Sequence, residues 1–165
     1  MERIERTVLS NLIHNEEYTR RVLPFIKEEY FSDRLEKILF SEIYKFVNKY
    51  NGLPSKEALS IEMNGSKSVN EDEYKKVTDI ISTLNPEPVN MDWLRDTTEK
   101  FCKDRAIHNA ILSGIQIIDG KDKQHTPEYL PEMLSNALSV SFDQKVGHDY
   151  LLETKDRFDY YRKKE

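Results

Sequence analysis

The 165-residue sequence has one cysteine, Cys102, so no disulfide can close within it, which fits a reducing compartment. One thiol and four scattered histidines give no ligand cluster spaced for zinc. No apolar run approaches the roughly 20 residues that cross a bilayer, and the charged start Met1-Glu2-Arg3-Ile4-Glu5-Arg6 lacks the apolar stretch of a secretion signal. A cytoplasmic protein without membrane contact is expected. Cationic excess is missing too: 25 Lys and Arg stand against 30 Asp and Glu, a net charge of −5. A domain that grips nucleic acid by neutralising phosphates is usually basic, so DNA contact is expected to be weak or absent. No strand-length stretch alternates between apolar and polar, and no Gly-rich hairpin turns separate β-branched runs. Internal repeats and low-complexity tracts are also lacking.

What remains is helical periodicity, in a chain of 38% hydrophobic and 33% charged residues, long enough for one core. Ile4, Val8, Leu9, Leu12 and Ile13 share one helical face. Asn15 is placed to cap a short helix that ends before Pro24. Asp33 and Glu36 have capping-box spacing, and Leu35, Ile38, Leu39, Ile43, Phe46, Val47 and Tyr50 follow at intervals of three and four. Asn51-Gly52 supplies the stop, and Ser55 caps a fourth helix through Ala58, Leu59 and Met63. Asn70 and Glu73 repeat the capping signal ahead of Tyr74, Val77, Ile81 and Leu84. Pro86 and Pro88 make residues 85–89 an extended connection and a subdomain boundary.

A long helix is expected from Met91 to about Ile118, stopped by Gly120. Its second half sets Ile107, Ile111, Ile115 and Ile118 beside Ala106, Ala110 and Gly114, small residues that let another helix come close. After a short polar loop, Thr126-Pro127 starts a returning helix edged by Leu130, Met133, Leu134, Ala137 and Leu138, which makes an antiparallel hairpin. The isoleucine stripe either closes the core or pairs with a second hairpin. The last segment, 141–165, carries Leu151, Phe158 and Tyr161 on one side of a helix with nothing after it to pack against. Either that helix serves another chain, or the chain continues beyond Glu165.

Catalytic signatures are weak. The stretch GIQIIDGKD at 114–122 has five residues between its glycines, Asp122 where a phosphate loop needs a hydroxyl, and no preceding strand, so a helix C-terminus is the simpler reading. His148-Asp149 are sequence neighbours that do not face each other, and Glu16-Glu17, Glu28-Glu29 and Glu71-Asp72-Glu73 sit where helix starts collect acids. Arg157, Arg162, Lys163 and Lys164 with Tyr160 and Tyr161 form a terminal basic group, read as a solvated face. Trp93 is assigned a core or hinge position.

The stretches VLSNLIHN (8–15), EEYF (28–31), Ile43 to Val47, LPSKEAL (53–59) and above all ALSVSFDQKVGHDY (137–150) resemble the amino-terminal domain of DnaB-family replicative DNA helicases, and most of all its T-even phage branch. The resemblance implies an all-α fold: a compact helical head (1–88), a dimerising hairpin (91–140), then a linker and the start of a linker helix (141–165). It implies no catalytic or cofactor-binding residues in this stretch, since ATP and Mg would belong to an absent motor domain. Its expected partners are further copies, as dimer or hexamer, together with primase and the helicase loader, at the replication fork in host cytoplasm. Self-association is assigned to Ile107, Ala110, Ile111, Gly114, Ile115, Ile118, Leu134 and Leu138, and docking of the linker helix to Tyr150, Leu151, Phe158 and Tyr161. A primase's helicase-binding domain and an independent helical DNA-binding module are the alternatives.

Overall fold

The computed structural model describes residues 3–142, and among these it is all-α with no strand. Seven α-helices run α1 (Ile4–His14), α2 (Glu16–Val22), α3 (Arg34–Tyr50), α4 (Lys56–Asn64), α5 (Glu71–Thr83), α6 (Met91–Ile118) and α7 (Leu130–Leu138), with 3-10 turns at Leu23–Phe25, Glu28–Tyr30 and Pro127–Tyr129. Local chemistry sets most boundaries. Asn15 accepts from the Tyr18 amide at 3.1 Å, and Ser55 from the Ala58 amide at 3.0 Å. Asn70 and Glu73 form the full capping box, each side chain bonded to the other's backbone N–H. Asn51 closes α3 with a left-handed φ of 55°, a conformation whose cost asparagine tolerates better than most residues.

The box expected at Asp33 and Glu36 forms only in half. Asp33 accepts from the Leu35 amide at 3.2 Å, but Glu36 is fully buried and points elsewhere. Its Oε1 and Oε2 accept from Arg3 at 3.0 and 2.9 Å, and Oε2 also accepts from Arg6 Nε at 2.9 Å. Long-range pairing with α1 has displaced the local cap.

Val8, Leu9 and Leu12 of α1, Leu39 and Ile43 of α3, Leu59 of α4 and Val77 of α5 are all fully buried in one core. Burial of each such side chain contributes about 1.5–3 kcal/mol. Phe31 joins α3 to α6, with its ring 5.3 Å from Phe40 and 5.5 Å from Phe101. The connection at 85–89 does not separate two cores: Leu94, Phe101 and Cys102 of α6 lie in the same cluster as α1 to α5. It is fastened to α1 by Ser10 Oγ, which donates to the Asn85 carbonyl at 3.0 Å, and by His14 Nε2, 3.1 Å from the Leu84 carbonyl. At the centre, Thr98 Oγ1 donates to the Leu94 carbonyl, so the buried Tyr18 hydroxyl donates to Thr98 at 2.6 Å.

Candidate functional site: the exposed side of the hairpin

Beyond Arg105 the long helix leaves the core, and α7 returns along it. The Gly114 backbone faces Leu130, the first residue of α7, while Glu99, just over four turns earlier in α6, meets Ser141 and Phe142 just past the end of α7. The two helices are therefore antiparallel. A Cβ at Gly114 would stand 3.1 Å from Leu130 Cδ2, which explains why the smallest residue occupies the approach. Ala110 at 8%, Ile117 at 4% and Ala137 at 7% exposure are the hairpin's own buried residues.

The small residues Ala110 and Gly114, expected at a contact between copies, thus admit the chain's own α7. Ile107 is half-buried beside them. The other five of the eight residues face solvent: Ile111 at 51%, Ile115 at 46%, Ile118 at 68%, Leu134 at 38% and Leu138 at 60% exposure. Leu112, which sequence reasoning passed over, is also exposed, and Ile117, also passed over, is buried.

The geometry collects the exposed five on one side. In an antiparallel pair the contact faces oppose each other and, viewed from one end, the helices wind in opposite senses. One step forward from a contact residue, Ala110 to Ile111, Gly114 to Ile115 or Ala137 to Leu138, therefore leads to the same side of the hairpin. One step back, to Asn109, Ser113 or Asn136, leads to the other side. There the residues line a groove against the head.

The remaining candidates sort simply. The 114–122 stretch is a helix end: the amides of Asp119, Gly120, Lys121 and Asp122 donate to carbonyls of Ile115, Gln116 and Ile117, so none is free to hold a phosphate. Asp122 then clasps the following turn, accepting from the Gln124 and His125 amides and meeting His125 Nδ1 at 3.0 Å, contacts that hold its carboxyl below the usual range. Trp93 is not in the core but 52% exposed in the first turn of α6, where it lines a cleft of about 520 Å³ with Arg6 and Pro88. Among the described residues no group of three His, Cys, Asp or Glu is arranged to hold a metal, and no helix is long and apolar enough to cross a membrane. Tyr150, Leu151, Phe158 and Tyr161 lie outside the described residues, as does His148-Asp149.

Comparison with known proteins decides what kind of chain carries this hairpin. It is 34% identical, over 95% of its length, to a DnaB-like replicative helicase of Enterobacteria phage T4. The chain is a homologue of that replicative helicase. It spans 34% of the DnaB-like protein's length. No family model matches the chain. The helicase kinship and the all-α architecture agree with the resemblance carried by residues 8–15, 53–59 and 137–150.

Proposed function

We propose that this chain is the non-catalytic assembly and docking domain of a hexameric replicative DNA helicase. In this reading the exposed side of the hairpin packs against the same side of a second copy, and the paired domains build a collar that receives primase and the helicase loader. ATP and Mg are handled by the remainder of the helicase, and Tyr150, Leu151, Phe158 and Tyr161 dock the linker helix on a neighbouring subunit. The single observation that carries the reading is the row Ile111, Ile115, Ile118, Leu134 and Leu138, five large apolar side chains exposed on one side of two helices. A side of that composition is stable in water only at the cost of its hydration, and a self-complementary patch is what a two-fold contact needs.

Sedimentation of the wild-type chain against Ile111→Asp and Ile115→Asp tests it. Burying an uncompensated carboxylate in the contact is expected to weaken self-association by roughly a hundredfold or more while leaving the fold intact, since both positions are exposed in the single chain. Identical sedimentation of wild type and variants at high concentration would remove the proposal.

A further inference from the structure

The opposite side of the hairpin has a different character. Between it and the head runs a groove of about 650 Å³, with Ala106, Ala110 and Ala137 among the residues of its floor and Lys27 and Lys37 among those of its rim. Neither lysine has an ion-pair partner among the described residues, so both charges are available to a ligand in the groove. Lys37 is half-buried and belongs to the opening turns of α3, where the helix dipole disfavours a cation. Glu29 is the one acidic side chain that lines the groove, so two cations face one anion in a chain of net charge −5.

The wall adds a second feature. Ser113, one turn from Asn109, and Asn136 across the hairpin present side-chain polar groups to the groove, and no described residue bonds to the Ser113 hydroxyl or the Asn136 side-chain amide. Asn109 is fixed in place because its Nδ2 donates to the Glu29 carbonyl at 2.9 Å. A side-chain amide both donates and accepts, which suits the peptide unit of an extended chain. From Ala106 to Ser113 the helix rises about 10 Å, the span of roughly three extended residues.

We infer that this groove binds a short extended segment of a partner protein, with apolar side chains on the alanine floor and carboxylates paired to Lys27 and Lys37. The site lies on the side of the hairpin away from the self-association face, so it stands or falls apart from the proposed assembly role. Short fluorescein-labelled peptides alternating valine with aspartate, asparagine or lysine are the probes. Binding is read by anisotropy, and its location by amide shifts in the ¹⁵N-labelled 165-residue chain. The aspartate peptide is expected to bind, to weaken with salt, and to shift the amides of Ala106, Asn109, Ser113 and Asn136. Lys37→Met is expected to weaken it about tenfold, the loss of one charge-assisted hydrogen bond, with the amide spectrum otherwise unchanged. Asn136→Ala provides a second variant that leaves the charges intact and is expected to weaken binding by a smaller factor. Sedimentation of Lys37→Met should match wild type, which separates this site from the assembly surface. Equal binding of the asparagine or lysine peptide, shifts confined to other surfaces, no saturable binding, or indifference to Lys37→Met would each overturn the inference.

Discussion

Glu36 ties two elements that are distant along the chain. Its carboxylate is fully buried and receives three hydrogen bonds from Arg3 and Arg6, joining the start of α1 to the first turn of α3. Breaking a buried ion pair from one side costs about 3–5 kcal/mol. The two arginine side chains keep 43% and 31% exposure, so they re-hydrate when the carboxylate is lost, and Glu36→Gln is expected to destabilise by about 2–3 kcal/mol in urea unfolding. A loss below about 1 kcal/mol would mean that the arginines find other partners. Cys102 gives a cleaner test of the core. Burial, helped by the nearby Glu99 charge, pushes its thiol up to about 12, so the folded protein holds it neutral at physiological pH. Because the folded pKa is raised, its contribution to stability is complete below the unfolded thiol's pKa and is lost as pH rises from there towards 12. Thiol reagents at neutral pH are expected to label Cys102 only at the rate of unfolding; rapid labelling of the native chain would place it at the surface.

At the scale of the element, α6 is two helices in one. Its first half buries Leu94, Thr98, Phe101 and Cys102 in the head, and its second half is covered on one side by α7 alone. In dilute chain, hydrogen exchange is therefore expected to slow most around Phe101 and Cys102 and to quicken steadily towards Ile118; uniform protection along the helix would contradict this division. The helix itself was legible in the sequence, because Gly120 and the isoleucine spacing are local signals, whereas the Asn90 side chain that caps its start by accepting from the Trp93 amide went unread. Asn15, Asn51, Ser55 and the Asn70–Glu73 box were legible as local signals too. What periodicity could not reveal was the identity of partners distant along the chain. Glu36 had the spacing of a cap but found arginines some thirty residues away, and Ala110 and Gly114 announced a close neighbour without saying that it was α7. For Trp93 the sequence left core and hinge both open, and only the core is excluded: its place in the first turn of α6 fixes a backbone site, while its exposure depends on how α1 and the 85–89 connection pass beside it.

For the molecule as a whole, the described residues contain a satisfied core and two unsatisfied sides of one hairpin, with the only sequence likeness to a phosphate loop consumed as a helix end. ATPase activity of this chain alone is expected to be nil, and nucleotide-dependent turnover that survives purification would contradict its assignment as a non-catalytic part. The described structure ends at Phe142, whose ring stacks on Phe25 at 5.0 Å and whose amide, with the Ser141 hydroxyl, donates to Glu99 Oε2 at 3.0 Å. The polypeptide thus departs from the foot of the hairpin, riveted to the globular body, and not from its free tip. A tug applied downstream of Phe142 would load the body through Phe25 and Glu99 together before it could peel α7 away, so the whole body would feel it first and the hairpin only afterwards.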